Sequence, residues 1–195
     1  MEREELLYWS NKHDDQFDDG IQKERKIGAE LRKTKEVTKT HLVDIIKWKF
    51  EGDARRIKRE SNLVSDIDEQ VLRKVSNIVF DLDVSQDMYR IKLLCALGHG
   101  IGPAVASTIL TFYDPVNYGV FDFHVWKEVF REELEGNYTV SNYIKLLSKL
   151  REVADRYGLH VRTVEKAYFK KNYEKSQRRR QVAEECSKEQ ANGSV

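Results

Sequence analysis

Apolar residues recur at helical spacing along most of the chain. Residues 22–33 and 38–50 carry this period, and in the second stretch Leu42, Ile45, Ile46 and Phe50 form a stripe behind Thr38 or Thr40 as N-cap. Ser65 with Asp68, and Asp66 with Glu69, are helix-start pairs, after which Val71, Val75, Ile78 and Val79 continue as an apolar face. A short polar link after residue 84 leads into a helix over Tyr89–Leu97. Farther on, 139–157 predicts a helix with Tyr143, Ile144, Leu147, Leu150 and Val153 inside, and 161–173 predicts another. From Ser176 onward the chain is polar, and fraying or disorder is expected over 176–195. There is no internal repeat and no alternating ladder that would make strands, so the expected fold class is all-α.

The densest signal lies between Leu93 and Phe130. It predicts a helix, a glycine turn, a helix, a short loop and a further helix that starts at Asp122. Gly98, Gly100 and Gly102 supply the backbone freedom of a sharp turn, and Pro103 stands in the first turn of the next helix, where proline is tolerated. Ala104, Ala106, Ile109 and Leu110 continue that helix with small residues that permit close packing. The amides around Gly100, Ile101 and Gly102 then stand at a helix N-terminus, an arrangement suited to phosphate.

Composition narrows the classes. The chain has 195 residues, enough for one sizeable core or two small lobes, with 40% hydrophobic and 34% charged positions and two prolines. A formal net charge of +1 gives no global attraction to nucleic acid, so any such binding rests on local patches. Residues 1–24 hold eight acids against three bases and make an improbable nucleic-acid face, although Leu6, Leu7, Trp9 and Phe17 can anchor them to a core. Residues 54–60 carry four bases against one acid, and Lys170 to Arg180 carry six against one. Cys95 lies in an apolar helix and Cys186 in the polar tail, which fits reduced thiols in an intracellular protein. Two cysteines are too few for a four-cysteine iron–sulfur cluster. No apolar run approaches a membrane span, and the N-terminal MEREELLYW does not read as a signal peptide.

The Gly100-Ile101-Gly102 turn, the Ala106 and Leu110 spacing, and the segment Val120-Phe121-Asp122-Phe123-His124-Val125-Trp126 resemble the helix-hairpin-helix DNA glycosylase superfamily, whose pattern is a Gly-hydrophobic-Gly turn followed by a Val-x-Asp-x-His segment. The matching residues cover about a fifth of the chain. The resemblance implies a two-lobed all-α unit over residues 1–175, with a central lobe of about 38–124 and a second lobe from 1–37 plus 125–175. It implies a double-stranded DNA partner, no membrane and no cofactor, and the expected location is cytoplasmic, nucleoid-associated or nuclear if the protein binds DNA. Asp122 would be the catalytic carboxylate, stabilising a cationic sugar and orienting water onto its anomeric carbon. It also reads as the cap of the helix beginning at Phe123, and both roles are compatible. His124 would contact a phosphate, joined by Gly100, Ile101 and Gly102 and by His99 in the turn. Trp126 and Trp48 are candidates to stack on a flipped base, although such aromatics commonly serve a core.

The chain departs from the family in two places. Gly98-His99 precedes Gly100 where the family has Leu-Pro, and Ala104 stands where bifunctional members carry the Schiff-base lysine. Alanine performs no covalent chemistry, so the implied activity is monofunctional, with water as nucleophile; a lysine from elsewhere, such as Lys47, Lys49 or Lys92, is the other route. Base-excision repair is the expected function. A non-catalytic DNA-binding or scaffold protein is the main rival, and an interaction protein without nucleic acid is a third.

Two further motifs carry less. Residues 78–84, IVFDLDV, resemble a haloacid-dehalogenase nucleophile strand but lack the alternating βα pattern and later acidic pair. His13-Asp14 invites comparison with helical metal phosphohydrolases, but no histidine or carboxylate cluster at ligand spacing accompanies it, and no metal is expected.

Overall fold

A computed structural model describes residues 1–134 and 138–192, with side chains through residue 185. Its helices are α1 (Arg3–Gln16), α2 (Asp18–Thr34), α3 (Lys39–Lys49), α4 (Ala54–Ser65), α5 (Glu69–Asp81), α6 (Asp87–Ala96), α7 (Pro103–Tyr113), α8 (Phe123–Phe130), α9 (Val140–Tyr157) and α10 (Val161–Asn192), with one 3-10 turn at Val84–Gln86. No strand occurs among the described residues, so the protein is all-α.

Local caps explain several helix starts. Thr38 accepts a hydrogen bond from the His41 amide at 3.1 Å while the His41 ring meets the Thr38 amide at 3.3 Å, a reciprocal capping box. Asp53, Asp68, Asp122 and Thr139 cap α4, α5, α8 and α9 through their side chains, each worth about 1 kcal/mol. Left-handed residues end three others: Lys35 closes α2, Arg131 closes α8, and Gly158, at φ +63°, closes α9.

Helix α7 is the centre of the packing. Every residue from Ala104 to Phe112 is buried, and α2, α3, α6 and α9 lie against it. Gly28 of α2 crosses so near that a Cβ there would stand 2.3 Å from the Phe112 carbonyl oxygen. Arg32, one turn on, donates to the carbonyls of Phe112 and Tyr113 at 2.9 and 3.1 Å and closes the C-terminus of α7. On the other side α10 packs along α1 and α8, with α9 beside it.

The buried face of α5 differs from the one its apolar residues predict. Val71 and Ile78 are half exposed, at 50% and 54%, while Leu72, Ser76, Val79 and Phe80 face inward. Ser76 earns its place by polar bonding: its hydroxyl accepts the Val37 amide at 2.8 Å and donates to the Arg73 carbonyl at 2.9 Å. Helix α10 continues through Asn192 with residues 178–185 exposed, and residues 193–195 of the tail expected to fray lie outside the described residues.

The glycine turn between α6 and α7 packs on α4. Gly100 has φ +106°, and a Cβ there would stand 2.9 Å from Leu63 Cβ and 3.1 Å from Val64 Cγ1, whereas nothing lies within 4 Å of a Cβ at Gly102. Gly100→Ala is therefore expected to cost about 1–3 kcal/mol in urea denaturation. Gly102→Ser, at an open N-cap, is expected to change stability by less than about 1 kcal/mol. Equal losses at the two positions would contradict this account.

Candidate functional site

The segment between α7 and α8 is fixed by buried hydrogen bonds that deliver Asp122 to one point. The Phe121 amide donates to Ser107 Oγ at 2.9 Å, Tyr143 Oη donates to the Gly119 carbonyl at 3.1 Å, and Arg151 Nε donates to the Asn117 carbonyl at 3.0 Å. The amides of Val161 and Arg162 reach the carbonyls of Val116 and Pro115 at 3.0 and 3.1 Å, tying the start of α10 to the same segment. Gly119 permits that approach, since a Cβ there would meet Glu165 Cβ at 2.9 Å.

Asp122 then serves two partners. Its Oδ1 accepts the His124 amide at 2.8 Å as the cap of α8, and its Oδ2 accepts Lys49 Nζ, also at 2.8 Å. The side chains are largely buried, 19% exposed for Asp122 and 8% for Lys49. Burial pushes the Asp122 carboxyl up, but the Lys49 ammonium and the His124 amide outweigh it, leaving the group below the usual carboxylate value. At neutral pH the site holds an ionised carboxylate.

Both residues line a cavity of about 710 Å³, a size suited to a small ligand. Its wall is formed by the α1–α2 junction, the end of α3, Asp122 and one face of α10. Phe17, Trp48, Phe169 and Tyr173 supply aromatic surface. Phe169 and Tyr173 stack with centroids 5.8 Å apart, Phe17 meets both edge-on, and Trp48 is fixed by its Nε1 donating to the Gly20 carbonyl at 2.9 Å.

His13 belongs to this wall, with its ring 5.1 Å from that of Phe17 and 5.7 Å from that of Phe169. Its Nδ1 lies 3.0 Å from Asp14 Oδ1, and Asp14 is ion-paired to Lys166 at 2.6 Å. Burial lowers the imidazole pKa to about 4, more than the Asp14 carboxylate restores. The ring is therefore neutral at pH 7, with the proton on Nδ1 toward the carboxylate and Nε2 left as an acceptor. Unfolding frees His13 to take a proton at its ordinary pKa near 6.5. Stability is thus full above that value and is lost as pH falls toward about 4, a loss of roughly 3 kcal/mol from this group. His13→Gln is expected to remove that part of the pH dependence, read as urea stability from pH 7.5 to 4.5; an unchanged slope would rule it out.

A buried charge cluster supports the cavity. Arg162 grips Glu24 with two bonds, Nε to Oε1 at 3.0 Å and Nη2 to Oε2 at 2.6 Å, and its Nη1 donates to Glu165 Oε2. Arg162 and Glu165 also line the cavity. Burial raises the Glu165 carboxyl above its ordinary value despite the guanidinium beside it.

The residues picked out by sequence separate into three places. Asp122 and Trp48 stand on the cavity wall. Trp126 does not; it is 4% exposed, packed against Phe121 and Phe130 with Lys145 over its ring, and serves the core. His124 is held beside the cavity, its Nδ1 2.9 Å from Asn172 Oδ1 and its ring against Phe169 and Tyr173. Gly100, Ile101, Gly102 and the exposed His99 lie at the hairpin turn; Ile101 is buried there, and Gly102 gives α7 no side-chain cap. Ala104, only 6% exposed, is part of the core, while Lys47 and Lys92 are exposed and Lys49 alone of the three lysines reaches Asp122.

Sequence reasoning passed over Phe17, Glu165, Phe169 and Tyr173 as site residues. It weighed His13-Asp14 only as a metal motif, and no group of three or more metal-ligating side chains occurs among the described residues. Cys95 is a half-buried free thiol whose pKa burial pushes up to about 11, and the Cys186 side chain lies outside the described residues. No described helix is long and apolar enough to cross a membrane.

Fold and site together define an all-helical protein with an aromatic cavity around an ion-paired aspartate. Searched against protein-family models, curated proteins and solved structures, the chain matches none.

Proposed function

We propose that this protein is a helix-hairpin-helix DNA glycosylase, hydrolysing the N-glycosidic bond of a base flipped into the cavity. The observation that carries the reading is Asp122: the aspartate of the Val-x-Asp-x-His segment stands, ionised, on the wall of an aromatic cavity large enough for a base. A carboxylate there can stabilise the oxocarbenium-like sugar and hold the attacking water, while the rings take the base as stacking partners. Helix α4 supports a duplex beside it. Its first turns carry Arg55 and Lys58, exposed and without an ion-pair partner among the described residues, close in sequence to Gly52 on the cavity wall. Its far end, about 15 Å on, packs against the glycine turn at Leu63 and Val64. Phosphates on either side of a flipped nucleotide would meet α4 and the hairpin amides.

The implied mechanism is monofunctional. Lys49 Nζ is ion-paired to the Asp122 carboxylate at 2.8 Å, and an amine engaged in an ion pair is not a free nucleophile. The place of Lys49 on the cavity wall favours one second reading, a lyase in which Lys49 gives up its proton and forms an imine with the sugar.

Base release from duplexes carrying deaminated, oxidised, alkylated or mismatched bases, assayed with and without hot alkali, tests both. Alkali-dependent breaks are expected. Breaks without alkali that vanish in Lys49→Ala would select the lyase. Salt-sensitive duplex binding with no breaks on any substrate would leave a DNA-binding module, and neither binding nor breaks would reject a DNA partner.

A further inference from the structure

We propose that the outer seam between α5 and α6 is a docking strip for an amphipathic helix of a partner protein, one whose apolar stripe is flanked by acidic side chains. The strip lies apart from the cavity, to which neither helix contributes a lining residue, and its role is independent of base excision.

The strip follows from how the two helices lie. The C-terminal end of α6 returns to the start of α5, where a Cβ at Gly98 would stand 3.7 Å from Ile67 Cγ1. Arg90 reaches back to the Phe80 and Leu82 carbonyls, so the pair is antiparallel. One flank of α5 is tied to the α2–α3 link: Arg73 donates to Glu36 at 2.7 Å and Asn77 to the Lys35 carbonyl at 3.4 Å. Val71, Val75 and Ile78 recur at helical spacing on the other flank, the one beside α6. On α6, Arg90, Ile91 and Leu94 turn inward, which leaves Tyr89 and Leu93, one turn apart, along the same seam. Val75 is the part-buried floor; Val71, Ile78, Tyr89 and Leu93 are exposed, Tyr89 to 63%. Exposed apolar residues scattered singly are ordinary, but a contiguous row marks a contact surface.

Charge says what covers it. Every carboxylate on the two helices is engaged: Glu69 by Arg73, Asp81 by Lys35 and Asp87 by Arg151. The capping carboxylates Asp68 and Asp83 accept the amides of Gln70, Val71 and Ser85. Lys74 and Lys92 are exposed and have no ion-pair partner among the described residues. Helical spacing places both on outward sides, Lys74 a turn from Ile78 and Lys92 between Tyr89 and Ala96. An apolar strip with an uncompensated lysine on each rim attracts an acidic occupant. A second copy of the chain would set these lysines against one another. A duplex would lay phosphates on Val71, Ile78 and Leu93, whose side chains have no donor to offer.

Shape selects a helix. Two antiparallel helices in contact leave a furrow that a third can follow, and no strand edge occurs among the described residues for an extended peptide to join. The 10 residues of α6 run for about 15 Å. The occupant therefore makes contact over about three turns, with anchors at helical spacing.

Fluorescence anisotropy of the full chain with two labelled, hydrocarbon-stapled helices of about fifteen residues tests this. One carries leucine at every third or fourth position with glutamate on both flanks; its twin has lysine in place of each glutamate. The acidic helix is expected to bind at low salt with a Kd of about 10–100 μM, at least about tenfold tighter than the twin, and to weaken as salt rises. Ile78→Ser with Tyr89→Ser is expected to weaken it at least about tenfold while the circular dichroism spectrum stays unchanged. Lys74→Glu with Lys92→Glu is expected to reverse the preference between the two helices. No binding, equal binding of the two helices, or binding that both variants leave intact would overturn the proposal. Concentration-dependent sedimentation of the chain that the serine variant abolishes would assign the strip to a second copy instead. Neither variant alters the cavity, so base release measured on the same proteins reports on excision separately.

Discussion

Asp122→Asn is expected to lower base release by about 10²–10⁴-fold while leaving duplex binding near that of the unaltered protein. Asparagine is as good an N-cap as aspartate, so α8 keeps its start and the bond from the His124 amide. What disappears is the negative charge facing the sugar. The cost is carried by Lys49, which would remain 8% exposed without its counter-ion; urea stability should fall, by about 1–3 kcal/mol. Lys49→Met separates charge from position. The carboxylate stays but loses the ammonium that lowers its pKa, so the acidic limb of the rate profile moves to higher pH. A lysine serving structure alone would leave that limb in place, and base release from Asp122→Asn at the unaltered rate would remove Asp122 from the mechanism.

The largest effect on stability is expected at Arg162. Arg162→Met leaves Glu24 and Glu165 facing each other, with side chains 11% and 2% exposed and no cation between them. Removing one partner from such a cluster costs about 3–5 kcal/mol, or a fall of roughly 1–2 M in the urea midpoint. The sign of the pH effect follows from Glu165, whose carboxyl is already raised by burial. A raised group favours the folded state below its unfolded value and ceases to do so as pH rises through its folded value. Without Arg162 it rises further, so the deficit should be larger at pH 7 than at pH 5. Adding Glu24→Gln and Glu165→Gln removes the repulsion and should recover much of the loss. A deficit that neither pH nor the glutamines relieve would mean that packing, rather than charge, governs the position.

The sequence alone determined the all-helical class and most of the helices, because the forces that set them are local, although α1 was not read as a helix and α2 and α10 run past the spans 22–33 and 161–173. Thr38, Asp68, Asp122 and Thr139 cap within three residues of themselves, the apolar stripe of Leu42, Ile45 and Ile46 repeats every three to four residues, and Gly100 meets its φ requirement within one turn. Asp122 could be singled out for the same reason. On α5 neighbours decided: it buries Leu72 and Ser76 and leaves Val71 and Ile78 half exposed, and the buried Ser76 hydroxyl accepts the Val37 amide. The site was beyond local reach. Lys49 meets Asp122 across 73 positions of sequence and Arg162 meets Glu24 across 138, and no spacing rule distinguishes these residues from the other charged positions. Trp48 and Trp126 have similar local surroundings in sequence, yet one faces the cavity and the other the core. Only the packing of α1, α3, α8 and α10 gathers the carboxylates and rings into a cavity, because burial and convergent charge are properties of what the chain folds against.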